Sequence, residues 1–194
     1  MDGTLRVWDY KTNTLLSKRV FNALFSCAAY SDGVLYVGST LGYLRIFEFD
    51  EKYQPSLIFC QRLRKSAITN IKIGGHNSSV VAVSFSDKHV GFLHVTHKKL
   101  MLSNTAENDD IVDYGSSVDD EDSYLSLLGF CMFSDGIATL AWATENGLYV
   151  ATDVGDLYMI EPPTHFEDVI LLNNITKDLW KLDYPSYGLV PFKE

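Results

Sequence analysis

Two stretches of this chain lie on each other without a gap: YVGSTLGYLRIFE (residues 36–48) and YVATDVGDLYMIE (residues 149–161). Five of the thirteen positions are identical, and most of the others are conservative. A third copy, GTLRVWDY (3–10), lies on GYLRIFEF (42–49) at an offset of 39 residues, so that Trp8 meets Phe47 and Asp9 meets Glu48. Residues 68–95 keep the same rhythm in degenerate form. A unit repeated about every 40 residues buries its apolar surface by stacking on its neighbours, which narrows the fold to a repeat architecture.

The unit itself is made of strands. Helical periodicity is nearly absent, whereas apolar and polar residues alternate in runs of five to eight, each about ten residues after the last. Thr4 to Trp8 alternates and is followed by the polar turn Asp9-Tyr10-Lys11-Thr12-Asn13; Ser31-Asp32-Gly33 and Gly42 punctuate later runs. The abundant β-branched and aromatic residues suit pleated surfaces packed on both faces. The expectation is an all-β fold, and a 40-residue repeat closing on an aromatic–acid pair is the signature of a propeller blade.

With 194 residues and 46% hydrophobic content, the chain is long enough for a real core without disulfides or metals. Cys27, Cys60 and Cys131 show no CxxC spacing and sit among strand-like apolar residues, as small buried side chains in a reducing compartment would. No apolar run approaches the roughly 18–20 residues that span a bilayer, and the first residues lack signal-peptide character; the expected location is intracellular. Charge is divided sharply. Residues 1–99 carry 13 Lys/Arg against 7 Asp/Glu, while 100–176 carry 15 Asp/Glu and no Lys or Arg. Nucleic-acid binding by the second part is disfavoured, because phosphate contacts dominate such affinity.

The first copy, DGTLRVWD followed by YKTNTLL, resembles the close of a WD-repeat, the family that builds β-propellers from four-stranded blades. The resemblance implies strands c and d of a first blade at 4–8 and 14–20. A second blade then has a to d at 25–30, 34–39, 43–49 and 56–63. The third follows at 67–73, 79–85, 89–95 and 98–102, and the fourth at 137–143, 147–152, 156–161 and 167–172. Residues 124–133, YLSLLGFCMF, are read as the fourth blade's first strand or a lead-in to it. Asp2, Gly3, Trp8, Asp9, Gly42, Phe47, Glu48 and Gly155 occupy the motif positions that this resemblance implies. In the family, a His before strand a, a Ser or Thr in b, an Asp in the b–c turn and the Trp in c bond together. The His and Ser partners of Asp2 and Trp8 would precede Met1, so further blades are expected upstream in a longer chain. The expected fold is thus a propeller fragment: about three complete blades plus the last two strands of a preceding one. The blades span 1–172 with an acidic insertion at 103–123, and a tail or linker follows at 173–194.

The acidic segment SNTAENDDIVDYGSSVDDEDSY (103–124) holds eight Asp/Glu and no Lys or Arg, and is longer than ordinary loops of compact domains. It reads either as a solvated insertion or as an electrostatic contact for a basic partner through Asp109, Asp110, Asp119, Asp120, Glu121 and Asp122. Ser116 and Ser117, each with an Asp three residues on, resemble acid-directed kinase sites. If the segment joins strand d to the next strand a, it shares a face with Lys18, Arg19, Arg62, Arg64 and Lys65, and these cations are candidates to bind it or an acidic partner.

Nothing in the sequence marks a catalytic, metal or cofactor site. His76 lies in a Gly-Gly-His-Asn turn, His94 and His97 lack a third ligand, and no GxSxG, Walker or HExxH motif occurs. The functional expectation is a non-catalytic protein-interaction scaffold within a larger WD-repeat protein. Degenerate repeats with a long acidic insertion are similar to those of cilia- and flagella-associated WD-repeat proteins, which implies axonemal or microtubule-associated partners in the cytoplasm or cytoskeleton. Two alternatives stand beside it: a subunit of a vesicle-coat or RNA-processing complex, and a propeller enzyme or small-ligand binder using the central channel.

Overall fold

Turn residues cut this chain into short antiparallel strands, and each strand pairs with the next one in sequence. A computed structural model describes residues 3–75, 78–96, 124–165 and 170–178. Strands β1 (Thr4–Asp9) and β2 (Thr14–Val20) form a two-stranded first sheet. The second sheet is β3 (Phe25–Ser31), β4 (Val34–Ser39), β5 (Tyr43–Phe49) and β6 (Pro55–Arg62). The third is β7 (Ile68–Gly74), β8 (Val80–Phe85), β9 (His89–Val95) and β10 (Leu125–Met132), and the fourth is β11 (Ile137–Thr144), β12 (Gly147–Thr152), β13 (Leu157–Ile160) and β14 (Asn173–Asn174). A 3₁₀ turn, Ile175–Asp178, follows. Among the described residues there is no α-helix, and hence no helix long and apolar enough to cross a membrane.

Three backbone hydrogen bonds recur from sheet to sheet and define the unit. The third strand of each begins just after a residue with positive φ: Gly3 (62°), Gly42 (82°), Lys88 (69°) and Gly155 (91°). Its N–H reaches back three residues, from Gly42 to Ser39 (3.1 Å), Lys88 to Phe85 (3.2 Å) and Gly155 to Thr152 (3.2 Å). Its carbonyl accepts from the residue after the outer strand: Phe21 for Gly3 (2.8 Å), Leu63 for Gly42 (3.0 Å) and Phe133 for Lys88 (2.9 Å). The third bond ties the second strand's end to the first strand's start, from Thr40 to Leu24 (3.0 Å), Ser86 to Ala67 (2.8 Å) and Asp153 to Gly136 (2.9 Å).

The sheets pack face to face, so the inner strands are apolar on both sides. All of β8 except its first residue is buried, whereas β2 buries only Ser17. One core layer, with Ile46, Ile68, Val81, Val83, Phe85 and Leu93, lies between the second and third sheets. Another, with Phe92, Leu128, Phe133, Leu140, Leu148 and Ile160, lies between the third and fourth. Two glycines let the sheets close up: a Cβ on Gly38 would run into Ile68, and one on Gly74 into the Trp142 ring. The Trp142 indole N–H then bonds to the Lys72 carbonyl (3.3 Å). Phe21, just beyond β2, sits 5.1 Å ring to ring from Phe47, and Ser17 Oγ donates to the Tyr53 carbonyl (2.7 Å), joining the first sheet to the second.

The expected strands agree with those found to within one residue at each end, with two exceptions. The segment at 124–133 does not open the fourth blade. Leu125 pairs with Val95 and Met132 with His89, so Leu125–Met132 is the outer strand of the third sheet; residues 98–102, expected in that role, lie outside the described residues. Sequence proximity misled here because lengthening a hairpin loop adds only a logarithmic entropic cost, so a strand finds its partner across a long insertion. In the fourth sheet the outer strand described is the two-residue Asn173–Asn174, which pairs with Met159 and Tyr158; of the strand expected at 167–172, residues 170–172 are irregular and 167–169 lie outside the described residues. Thr176 anchors it by donating from Oγ1 to Asp156 Oδ1 (3.0 Å).

The hairpin is already closed at the ends of the insertion. Thr96 N–H bonds to the Tyr124 carbonyl (3.1 Å), Tyr124 is buried, and its phenol shares a hydrogen bond with that of Tyr36. Replacing residues 97–123 by a four-residue turn is therefore expected to keep the fold and raise stability by about 1–2 kcal/mol through cheaper loop closure; urea unfolding of the two proteins measures it. Gly42 is the opposite case, since a Cβ there would overlap the Arg64 carbonyl oxygen at a left-handed φ. Gly42→Ala is expected to lose about 2–4 kcal/mol in the same assay.

Candidate interaction surfaces

The alternation of strand direction puts the connections on two opposite faces. Turns between second and third strands, together with the links from one sheet to the next, form one face. Turns between first and second strands, and between third and fourth, form the other. Strands of seven residues hold the faces about 20 Å apart.

On the first face, side chains at turn positions cannot reach the core, and several are large and apolar. Leu24, Leu41, Met132 and Val154 are all exposed, Leu41 and Met132 by 61% and 65%. Leu41 and Val154 sit immediately before Gly42 and Gly155, at the position that Asp87 holds before Lys88 and Asp2 before Gly3. The charges on this face are mixed: Asp153 and Asp156 flank Val154, whereas a cation stands at Leu41. The Arg62 Nε donates to the Leu41 carbonyl (3.0 Å), with its guanidinium 5.6 Å from the Tyr43 ring centre. Lys65 is exposed, and Lys88 Nζ bonds to the Ser134 carbonyl (2.6 Å).

Arg64 is engaged within the fold. Its Nε and Nη2 both donate to Asp87 Oδ2 (3.1 and 2.9 Å), and it stacks 5.2 Å from the Phe130 ring centre. Burial raises the Asp87 pKa, but the hydrogen bonds and charges around it, those of Arg64 first and with Ser66 and His89 beside them, together outweigh it and leave the carboxyl below its ordinary value. On β2, Lys18 is exposed, while Arg19 Nη1 donates to the Pro55 carbonyl (2.9 Å) and covers the Phe21 ring.

The motif residues divide into frame and surface. Gly3, Gly42 and Gly155 hold the left-handed turns, and Phe47 is fully buried. Trp8, its counterpart in the repeat, is 53% exposed on β1, whose second edge carries no strand among the described residues. Asp9 accepts from Lys11 N–H and Thr12 Oγ1 (both 2.8 Å), so it closes its own turn; these bonds hold its carboxyl below the usual range. Glu48 is exposed. Asp2 lies outside the described residues, as do Asp109, Asp110, Asp119, Asp120, Glu121, Asp122, Ser116 and Ser117.

The pairing of β10 with β9 overturns the expected neighbourhood of the acidic segment. It was expected beside Arg62, Arg64 and Lys65, as a link between sheets. It instead joins the third and fourth strands of one sheet, leaving at Thr96 and returning at Tyr124 on the opposite face, next to Ser79. That face also carries a cleft of about 520 Å³ between the third and fourth sheets. Val80, Leu128 and Pro163 form apolar walls, and His94, Glu145 and Glu161 add polar groups. Sequence reasoning missed both the cleft and the apolar turn residues. Leu41 and Val154 had left a signal: each is apolar inside a turn and occupies a position filled by Asp in the other two copies.

Cys131 is buried and Cys27 and Cys60 half-buried, none in a disulfide. Burial pushes the Cys27 thiol up to about 11 and Cys131 to about 12, and raises Cys60 as well. At pH 8 the native Cys27 is thus only about one-thousandth thiolate, so native labelling with a disulfide reagent is expected to run at least about tenfold slower than in denaturant. Equal rates would contradict this burial.

No protein-family profile and no curated protein sequence matches the chain. Solved structures do. The β-propeller domain of Cps50 (Swd1) from Myceliophteria thermophila is similar over 77% of this chain at 16% identity, with a TM-score of 0.52. KlAtg21, solved in complex with the coiled coil of AgAtg16, is similar over 87% at 14% identity and a TM-score of 0.59. The computationally designed protein Ika8 is similar over 88% at 14% identity and a TM-score of 0.58. This chain spans 41%, 47% and 42% of those chains. Its strand order, its repeated turn frame and these likenesses identify the fold as a partial β-propeller.

Proposed function

We propose that this chain is a non-catalytic protein-interaction scaffold, part of a longer propeller, that docks a partner on the face bearing Leu24, Leu41, Met132 and Val154. The observation that carries the reading is the pair Leu41 and Val154. Both are exposed apolar side chains at the turn position where the sequence has Asp in the other copies and where Asp87 binds Arg64. Arg62 beside Leu41 and Asp153 beside Val154 fit a partner that is apolar at its centre and of mixed charge at its rim. That KlAtg21, a protein of similar fold, was solved with a coiled coil supports protein binding as a use of this fold.

The finer reading is an intracellular, cytoskeletal role in a ciliary, axonemal or other microtubule-linked assembly. Its support is the resemblance of degenerate repeats carrying a long acidic insertion. Affinity purification with mass spectrometry from ciliated cells tests it, comparing the parent with a Leu41→Asp/Val154→Asp variant. Surface changes of this kind leave stability within about 0.5 kcal/mol. Tubulin or axonemal proteins recovered by the parent and lost from the variant are the expected result. Vesicle-coat or RNA-processing components lost in the same way would transfer the scaffold to that assembly. Identical recoveries by both proteins would overturn docking at this face.

A further inference from the structure

Arg45 carries a charge partly into the packed sheets without being used by the fold. It lies on β5 with Val37 and Cys60 as its neighbours across the sheet, and burial keeps that thiol neutral. Its Nη1 is buried without a hydrogen-bond partner. A guanidinium cannot shed its proton to escape such a place, so the donor stays charged and unsatisfied. Native folds seldom leave a buried polar group in that state, and one that persists calls for a reason. The reason lies two residues away on the same face of the strand. The Tyr43 ring centre is 5.3 Å from the Arg45 guanidinium carbon and 5.6 Å from that of Arg62, which pairs with Tyr43 across the sheet. Arg62 is exposed, and its Nε holds the Leu41 carbonyl (3.0 Å), so the ring links the half-buried cation to the surface at Leu41. Attraction to the ring offsets only part of the repulsion between two like charges, and an anion relieves the rest. The anion that fits is a single carboxylate beside an apolar side chain. A nucleic acid or an anionic membrane would also meet Asp135 and Asp153 on this face.

We infer that Tyr43, Arg45 and Arg62 form a seat for a carboxylate, and that the partner docked over Leu41 fills it with an Asp or Glu side chain. Arg62 meets the carboxylate at the surface, and Arg45 supplies a second charge from a less hydrated place, where attraction is stronger. Tyr43 gives the site a flat apolar wall, and an apolar side chain next to the acid covers Leu41. The inference rests on the docking reading for the source of the carboxylate. It adds the residues that select an acid at this point of the interface.

Fluorescence anisotropy on the intact chain tests it with the labelled peptide Gly-Glu-Leu-Asp-Gly and an uncharged control of the same shape, Gly-Gln-Leu-Asn-Gly. The acidic peptide is expected to bind, and the control to bind at least about fivefold more weakly. Arg45→Met should weaken the acidic peptide by at least about fivefold. The same change should leave the urea midpoint of the free protein unchanged or raised, because an apolar side chain replaces an unsatisfied buried charge. A structural role for Arg45 would lower that midpoint. Arg62→Gln should weaken the peptide to a similar degree. No binding of the acidic peptide, equal binding of the two peptides, binding indifferent to Arg45→Met, or a lowered midpoint would each overturn the seat. The docking reading fails by a different result. Identical recoveries from cells by the parent and the Leu41→Asp/Val154→Asp variant, beside peptide binding that still depends on Arg45, would overturn docking at this face and support the seat.

Discussion

The inner strands of the second, third and fourth sheets are apolar on both faces, so those sheets cannot bury their surface without a neighbour. The clearest demonstration is the pair Trp8 and Phe47, which occupy the same place in successive copies. Phe47 has the Phe21 ring against it and is fully buried, while Trp8 is half exposed. The residues are similar in character; their surroundings differ. The same constraint explains Gly38 and Gly74, where the absence of a side chain lets Ile68 and Trp142 from the adjoining sheet come into contact. Packing between sheets therefore reaches back to single positions in the strands.

The turn frame converts this stacking into functional surface. A left-handed residue precedes each third strand, and in the second and third sheets two hydrogen bonds lock it to the second strand and to the residue after the outer strand, while a third ties the second strand to the first. The residue just before it, Leu41, Asp87 or Val154, is thereby presented to solvent. Asp87 uses that place to hold Arg64, whereas Leu41 and Val154 present apolar surface. One backbone geometry serves a structural ion pair in one sheet and a docking surface in others. Charge does not follow the same division: Arg62, Lys65 and Lys88 share the first face with Asp87, Asp135 and Asp153, and Lys11 and Lys52 lie on the opposite face with Glu145 and Glu161.

Much of the fold was legible because its signals are local. Alternation marks strands, Gly42 and Gly155 mark turns that only certain residues tolerate, and the repeat supplies the period. The two misplaced outer strands show where locality ends. Nothing in YLSLLGFCMF states whether it continues the sheet before it or begins the next one. That depends on which edge is open, and β9 offered one at Val95. The candidate surfaces were legible only in part. Arg62 and Lys65 were identified, but Arg64 turned out to be committed to Asp87, and the cleft arises from turns more than sixty residues apart.

The sequence by itself determined the strands, the repeating unit and the division of charge, since each depends on neighbours a few residues away or on composition. Only the tertiary structure decided which strand completes each sheet and on which face the acidic segment emerges. It also decided which turn residues meet solvent and which carboxylates share a cleft. The reason is physical: strand pairing and sheet stacking are contacts between distant segments, and their geometry is fixed when apolar faces close on each other, not by the order of residues along the chain.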